Sequence, residues 1–221
     1  MDQSSTGLMA FWSDIDEDYI ERYRDWHTTE HIPERVGIPG FLRGQRYSRI
    51  HNGRAFFMYY DTVSVSVLRS PAYLAALNAP TPWTLESLKH FKNPLRNLYE
   101  KVAERGGTPP TAVEYCTCVR FNRTAEVGEQ DLEREFELLS GDEWVRTRYL
   151  EIDQAATATK TKERDVYGAQ PQSQRFLYLV ERKTGQAIAD GEALKSEFSD
   201  LGMVDIEVEF YRLDFGMLSS A

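Results

Sequence analysis

Residues 26–47 read WHTTEHIPERVGIPGFLRGQRY and concentrate two histidines, two glutamates and three arginines between a predicted helix and a predicted strand. The helix is expected to begin near Asp16, where three consecutive acidic residues complement the free N–H groups and dipole of a helix N-terminus. Pro33 is expected to limit its other end, because proline lacks the helical donor. At about 100° per residue, one arc of roughly 140° should face a sheet. Its members are Tyr19, Ile20, Tyr23, Trp26, His27, Glu30 and His31.

This arc places polar, titratable groups inside an apolar stripe. Burying an imidazole or a carboxylate among aromatic rings costs free energy unless the group is hydrogen-bonded. We therefore expect His27, Glu30 and His31 to pair with each other, with the sheet or with a ligand. A histidine satisfied within the core is the alternative interpretation for either imidazole alone.

The composition indicates an ordinary globular protein. With 221 residues and 41% hydrophobic content, the chain can form one large domain or two small ones. A net charge of -9 argues against binding to nucleic acid or to an anionic membrane surface. The sequence shows neither a signal-peptide pattern nor an apolar run of about 20 residues, so a cytoplasmic location is expected. Cys116 and Cys118 lie two apart in a predicted strand and are expected to be core thiols.

The first half of the chain alternates strand and helix patterns in the order βαββαβ. An Asn-Gly pair at 52–53 separates two aromatic and apolar runs, which predicts an antiparallel hairpin. Pro80 and Pro82 are expected to stop the second helix, and a short amphipathic segment then leads to a closing strand. The predicted strands are 7–15, 41–50, 54–63 and about 98–105, and the second helix is 66–78.

The segment Gly106–Pro110 combines two glycines and two prolines, which predicts a boundary between units 1–107 and 108–221. Beyond it the βαββαβ order recurs, so the whole pattern matches two tandem ferredoxin-like units in an α+β fold. The predicted strands are 112–121, 144–152, 174–182 and 204–215, and the predicted helices are 129–140 and 186–198.

The two halves differ where chemistry is expected. The second half has no counterpart of the His-Glu-His cluster, so we interpret it as mainly structural. Its connection 154–173 is long and polar, and such loops are usually disordered or act as lids. Disorder is the favoured expectation for this segment.

The helix end W-H-x-x-E-H-x-P-E-R and the following I-P-G-F-x-R-x-x-R-Y resemble the dimeric α+β barrel superfamily, in particular EthD-like proteins. The resemblance implies that two ferredoxin-like units pair into a barrel, here within one chain. It also implies a pocket between sheet and helices for small, often aromatic or lactone-like substrates. Isomerases, polyketide cyclases, cofactor-free oxygenases and some haem enzymes share this superfamily. The residues carried over by position are His27, Glu30, His31, Glu34, Arg43, Arg46 and Tyr47.

The leading hypothesis is cofactor-free general acid/base catalysis of the isomerase, cyclase or lyase kind. His27 is the predicted base, with its pKa held near neutrality by a neighbouring carboxylate. His31 or Glu30 would orient it or return the proton.

Substrate oxygens are expected to bind on the following strand. The predicted ligands there are Arg43, Arg46 and Tyr47. Arg43 and Tyr47 share one strand face while Arg46 takes the other, so all three cannot reach one pocket without a bulge. Tyr59, Trp83 and His90 complete the predicted substrate-binding set; of Tyr59 and its neighbour Tyr60, only one can face the helices.

Three alternatives stay open. Residues 27–31 match H-x-x-E-H, whose histidines can chelate zinc, although Glu100 or Glu104 would have to supply a further ligand. A non-catalytic binding module is compatible with the same residues, and haem binding is implied only by the family resemblance. No nucleotide-binding fingerprint is present, so we expect no common nucleotide cofactor. We also expect a small-molecule substrate, and the chain is compatible with a homodimer.

Overall fold

Eight strands in the described part of the chain close into one antiparallel barrel. A computed structural model describes residues 5–107, 113–141, 144–168, 174–183 and 191–220. Within these ranges the order around the barrel is β1-β3-β2-β8-β5-β7-β6-β4. The strands are β1 (Gly7–Ile15), β2 (Phe41–His51), β3 (Phe56–Thr62), β4 (Phe91–Gly106), β5 (Tyr115–Arg123), β6 (Trp144–Ile152), β7 (Phe176–Arg182) and β8 (Met203–Leu218).

Each half of the chain contributes four neighbouring strands to this barrel. The first half supplies β4-β1-β3-β2 and the second supplies β8-β5-β7-β6, which is the same relative order. Pairing of β2 with β8 and of β4 with β6 closes the ring. The fold is therefore a mixed α+β fold around an antiparallel barrel, as the βαββαβ patterns predict.

The helices lie outside the barrel. They are α1 (Ile20–Trp26), α2 (Ile32–Val36), α3 (Pro71–Asn78), α4 (Pro82–Leu88), α5 (Glu129–Leu139), α6 (Gln154–Thr157), α7 (Lys162–Tyr167) and α8 (Gly191–Asp200). A π-helical turn, His27–His31, joins α1 to α2, and short 3-10 turns cover Glu17–Tyr19 and Val65–Arg69. None of the helices in the described ranges has both the length and the apolar character needed to cross a membrane.

The predicted hairpin is confirmed, since β2 and β3 pair around Asn52 and Gly53 with φ values of 55° and 73°.

The closing strand begins earlier than predicted, at Phe91. It passes through Pro94 because the pairing of β1 with β4 shifts register between Trp12 and Asp14, and a bulge tolerates a residue without a backbone donor.

Prolines open helices in this fold. The prediction that Pro33 limits its helix is wrong, because the helix continues to Val36 and Pro33 occupies the first turn of α2, where its missing N–H is not needed. The second helix does end before Pro80, at Asn78. Pro82 then starts α4 rather than interrupting it.

The barrel interior is a packed core. Its side chains come from alternating positions on all eight described strands, for example Trp12, Tyr47, Phe57 and Tyr211. Cys116 and Cys118 are both buried free thiols, as predicted. No room for a substrate is expected among such interdigitated rings.

The connection 154–173 is ordered over its described part, so the expectation of disorder is wrong for 154–168. Asp153 caps α6 by accepting a hydrogen bond from the Ala156 N–H at 2.8 Å, and Thr161 caps α7 through the Arg164 N–H at 3.3 Å. Tyr167 then packs edge-on against Phe11 with ring centroids 5.2 Å apart. This polar segment of the second half therefore covers helices and strands of the first half. The rest of the connection, 169–173, lies outside the described ranges. The predicted boundary between the two units falls at 108–112, which also lies outside them.

Candidate active site

The two histidines come together because the helix widens between them. The Ile32 N–H bonds to the His27 carbonyl, which is the five-residue spacing of a π-helix. The imidazole rings of His27 and His31 lie nearly parallel, with centroids 5.4 Å apart and an interplanar angle of 24°. Such single π turns recur at functional sites, and this one points both rings at the outer face of the sheet.

Tyr60 is the strand residue that meets His27. Its hydroxyl lies 3.4 Å from His27 Nε2. Gly44, the cross-strand partner of Tyr60, makes this approach possible: a Cβ there would lie 2.8 Å from the Tyr60 ring and 3.1 Å from Ile32. The glycine thus lets both the ring and the helix settle onto the sheet.

Both imidazoles are neutral in the folded protein at neutral pH. His27 is fully buried and His31 is 8% exposed. Burial lowers the pKa of His27 well below its ordinary range, and the charges of Arg46 and Arg35 lower it further. Burial and Arg35 likewise lower the pKa of His31. The expectation of a pKa near neutrality is therefore wrong, because burial is the main cause of the shift and the charges that add to it come from guanidinium groups and not from a carboxylate.

Glu30 does not orient either histidine. Its carboxylate accepts hydrogen bonds from Thr81 Oγ1 at 2.6 Å and Thr84 Oγ1 at 3.2 Å. The Trp26 indole also donates to Thr84 Oγ1, at 3.2 Å. This polar cluster ties the π turn to the start of α4 and leaves the Nδ1 atoms of His27 and His31 without a hydrogen-bond partner among the described residues.

His27 and His31 face a small cavity between the helices and the first-half sheet. Its volume is about 30 Å³, room for about one or two water molecules. Apolar side chains such as Met9, Phe11 and Leu88 form much of its wall. The polar and charged lining groups are His27, His31, Arg35, Tyr60, Tyr73, Arg96, Glu163 and Tyr167.

The second half contributes to this cavity through α7. Glu163 forms a buried ion pair with Arg35, whose side chain is 1% exposed. Burial raises the pKa of Glu163, and Arg35 opposes that shift. Tyr167 lines the same cavity. The interpretation of the second half as mainly structural therefore misses a contribution to the cavity.

Three of the predicted substrate ligands lie on the opposite face of the sheet, inside the barrel. Arg43 pairs with Asp61, with Nε and Oδ2 3.3 Å apart. The Tyr59 hydroxyl donates to Glu181 Oε1 at 2.8 Å. The Tyr47 hydroxyl donates to an amide oxygen of the same strand at 3.0 Å. Because side chains alternate along a strand, these groups and His27 are separated by the sheet itself.

Arg46 lies on the strand face opposite Arg43 and Tyr47, as predicted, and this face meets the helices, but its side chain binds away from the cavity. Its Nε donates to Asp214 Oδ2 at 2.9 Å, and one terminal nitrogen donates to the Arg24 carbonyl at 3.2 Å. Its guanidinium stands 5.7 Å from the Tyr23 ring centroid. Arg46 therefore acts on His27 through its charge and does not line the cavity.

Trp83 and His90 lie outside the cavity lining. Arg22 stacks over Trp83 at 5.0 Å. His90 stacks on Tyr19 with ring centroids 3.7 Å apart, and its Nδ1 lies 2.9 Å from Asp16 Oδ2. Asp16 therefore binds His90 instead of capping the helix with its side chain. Both predicted residues belong to the packing around the ends of α1 and α4.

Besides Tyr167, sequence reasoning misses five polar lining residues. Arg35 follows His31 by four positions and would be found by extending the helical stripe past Pro33. Tyr60 would be found by choosing the other neighbour of Tyr59. The remaining three, Tyr73, Arg96 and Glu163, come from distant segments that carry no local signal for a site.

The residues do not assemble an evident cofactor site. No group of three or more histidine, cysteine, aspartate or glutamate side chains is placed to hold a metal within the described ranges. The glutamate of the H-x-x-E-H motif, Glu30, hydrogen-bonds to Thr81 and Thr84 at the start of α4. A haem does not fit beside His27, because the cavity of about 30 Å³ is far smaller than a macrocycle.

The fold is shared with several solved structures. No protein-family model matches the sequence, and none of the curated proteins matches it. An anthrone oxidase-like protein superposes with a TM-score of 0.62 at 8% identity, covering 100% of this chain and 95% of its own. A candidate monooxygenase from Lactobacillus acidophilus gives 0.58 at 8% identity, with 98% and 97% covered. A variant chlorite dismutase from Candidatus Nitrospira defluvii gives 0.56 at 10% identity, with 96% and 93% covered.

Proposed function

We propose that this protein is a small-molecule enzyme that performs cofactor-free acid/base chemistry in the cavity beside His27. One observation carries the proposal: two buried, neutral imidazoles face a cavity with a phenol and charged groups. Burying that many polar groups is costly unless they serve a ligand or a reaction. The reaction class is an isomerase, cyclase or lyase acting on a hydrophobic, oxygen-bearing substrate.

In this proposal His27 removes a proton from carbon and Tyr60 supports the oxygen that gains charge. A neutral imidazole is ready to accept a proton, but its lowered pKa makes it a weak base, so the substrate C–H must be acidified by an adjacent carbonyl or phenol. Burial raises the pKa of Tyr60 well above its ordinary value. The phenol therefore stays protonated and can donate to an enolate. His31, beside His27, is the candidate for returning the proton.

An oxygen-consuming reaction is the second candidate. The solved structures with this fold include proteins described as an oxidase-like protein and a monooxygenase. In the oxygen-consuming reaction, the carbanion formed by His27 would react with dioxygen. In the isomerase, cyclase or lyase reaction, the same carbanion would be protonated or would eliminate a group. Both candidates share the same proton abstraction.

We also propose that the chain is a fusion of two ferredoxin-like units of the EthD-like kind, 1–107 and 108–221. The repeated strand order in the two halves supports this. The first unit would carry the catalytic groups and the second would complete the barrel and cover the cavity. A homodimer and a cytoplasmic location stay predictions of the same proposal.

The test is deuterium incorporation from heavy water into a panel of 1,3-dicarbonyl compounds, lactones and hydroxylated aromatics, followed by proton NMR. The wild-type protein should accelerate loss of one C–H signal, and His27→Gln should slow it at least about 100-fold. The exposed His51 provides the control, since His51→Gln should exchange at the wild-type rate. Exchange that survives His27→Gln would contradict the proposal, and oxygen uptake would separate the two candidates.

A further inference from the structure

The two guanidinium groups that line the cavity are partnered differently. Two guanidinium groups, those of Arg35 and Arg96, line it together with the single carboxylate of Glu163. Glu163 pairs with Arg35. Both histidines are neutral because burial lowers their pKa. Arg35 also lies 3.4 Å from a carboxylate oxygen of Glu34, so two carboxylates flank this guanidinium.

Arg96 has no such carboxylate partner among the described residues. It is 6% exposed, and its side chain donates one hydrogen bond, to the Tyr73 hydroxyl at 3.2 Å. Among the residues that the structure describes, no carboxylate lies within ion-pair distance of it. A buried guanidinium has five donors and a large desolvation cost, so a site that leaves it with a phenol alone is incomplete.

Tyr73 brings the two arginines to one end of the cavity. Its hydroxyl accepts from Arg96, and the Arg35 guanidinium carbon lies 6.0 Å from its ring centroid. The histidines and Tyr60 line the same cavity. A ligand bound beside Tyr73 would therefore keep its remaining atoms within the space that the proposed base faces.

We propose that the ligand of this cavity carries a carboxylate, which binds Arg96 beside the Tyr73 hydroxyl. This inference rests on the proposed function, because it assigns the substrate class of the same cavity. A planar carboxylate matches the guanidinium fork and would give Arg96 the kind of ion-pair partner that Arg35 already has. The ion pair of Glu163 with Arg35 shows that this environment accepts a carboxylate next to a guanidinium.

Glu163 competes with such a ligand. Burial raises the pKa of Glu163, and the charges of Arg35 and Arg96 oppose that shift, so Glu163 and Arg96 interact. A second carboxylate beside Arg96 would be repelled by Glu163. Removing the charge of Glu163 should therefore tighten the binding of an anion, whereas removing the charge of Arg96 should abolish it.

Calorimetry with matched anionic and neutral probes tests the inference. Acetate is the smallest carboxylate probe here, and both acetate and benzoate need more room than a cavity of about 30 Å³, so α7 must move aside to admit either. Acetamide and benzamide are their uncharged counterparts. We expect the wild-type protein to bind at least one carboxylate about tenfold more tightly than its amide. Arg96→Met should weaken carboxylate binding at least about tenfold, and Glu163→Gln should strengthen it by a similar factor.

The controls separate a specific site from loss of structure. Arg49→Met removes an exposed arginine on β2 and should leave binding unchanged. If Arg96→Met fails to fold, Tyr73→Phe removes one acceptor and donor while keeping both cations, and it should weaken carboxylate binding by a smaller factor. Three outcomes would overturn the inference. The first is equal affinity for carboxylates and amides, and the second is unchanged carboxylate binding in Arg96→Met. The third is an absence of carboxylate binding in both the wild type and Glu163→Gln.

The two proposals fail separately. Carboxylate binding that depends on Arg96, without any deuterium exchange, would sustain the anion site and reject acid/base catalysis. Exchange that depends on His27, with only neutral ligands bound, would sustain catalysis and reject the carboxylate.

Discussion

Neighbouring residues of one strand have separate tasks in this protein. The Tyr60 hydroxyl approaches His27, whereas the Tyr59 hydroxyl donates to Glu181 inside the barrel. Both phenols are fully buried, so exposure does not distinguish them. The side of the sheet alone decides which of them can take part in chemistry at the histidines.

This pair provides a matched test of the proposed function. Tyr60→Phe should slow deuterium exchange by about tenfold or more, because it removes the donor to the developing oxygen anion. Tyr59→Phe should leave the exchange rate unchanged and lower the free energy of unfolding by about 1 kcal/mol, through the lost hydrogen bond to Glu181. NMR exchange rates and urea unfolding measure the two effects. Equal loss of activity in both variants would indicate a general disturbance of the sheet.

The buried imidazoles predict a dependence of stability on pH. The folded pKa of both histidines lies well below their ordinary value of 6.5, so the unfolded chain binds more protons in the window below that value. The stabilising contribution of a neutral imidazole is therefore present above about pH 6.5 and is lost as the pH falls. Between about pH 7.5 and about pH 5.5, each histidine should lower the free energy of unfolding by about 1.4 kcal/mol.

Urea unfolding between these two pH values measures this effect. The comparison of wild type with His27→Gln isolates one imidazole, since the carboxylates are common to both proteins. The variant should lose about half of the acid destabilisation caused by the pair. An identical dependence on pH in both proteins would show that His27 is protonated in the folded state.

At the scale of elements, the site depends on how closely the π turn and α7 approach the sheet. Gly44 provides the closest approach, with Tyr60 and Ile32 occupying the space of its missing side chain. The cap of α7 at Thr161 fixes the segment that carries Glu163. Each of these single positions therefore controls a contact between elements.

Gly44→Ala should lower the free energy of unfolding by about 1–3 kcal/mol, because the added methyl group would displace Tyr60 or the helix. Gly107→Ala is the control, since a Cβ at Gly107 meets nothing within 4 Å. Urea unfolding measures both. A neutral result for Gly44→Ala would mean that the sheet and helix separate without cost.

Thr161→Ala removes the N-cap of α7, whose side chain accepts from the Arg164 N–H. Loss of such a cap costs about 1 kcal/mol, so the opening of α7 should become about fivefold more frequent. Hydrogen exchange of the α7 amides reports this, with unchanged exchange in β1 and β3. Thr159→Ala, in the same segment but at no cap position, should leave the exchange of α7 as it is.

At the scale of the whole molecule, charges inside the barrel join the two halves. Asp61 on β3 pairs with Arg148 on β6, with Oδ1 and a terminal nitrogen 2.5 Å apart, and with Arg43 on its own half. Glu181 on β7 pairs with Arg146 at 2.6 Å and accepts the Tyr59 hydroxyl. A buried network of this kind is destabilising when one partner is removed.

Asp61→Asn should therefore lower the free energy of unfolding by about 3–5 kcal/mol and still give one cooperative transition for both halves. The surface pair of Arg105 with Glu133 is the control, because its side chains are 46% and 43% exposed. Glu133→Gln should cost less than about 1 kcal/mol. Two separate transitions in Asp61→Asn would mean that the halves are stable independently.

Local periodicity by itself determined the order of strands and helices, the hairpin at Asn52-Gly53 and the face of the first helix that carries His27 and His31. Those features depend on residues within a few positions of one another. It also placed Arg43 and Tyr47 on one strand face and Arg46 on the other, which the structure confirms. The pattern did not say which face was the inside of the barrel.

Only the tertiary structure decided that Tyr60, Arg96 and Glu163 line the same cavity as His27. These residues are far apart in sequence, and they meet because β4 crosses next to β1 and because α7 folds back from the second half. The state of the histidines was likewise set by tertiary packing, since burial and nearby guanidinium charges lower their pKa. A local pattern cannot supply either effect, because desolvation and charge depend on everything that surrounds a group in space.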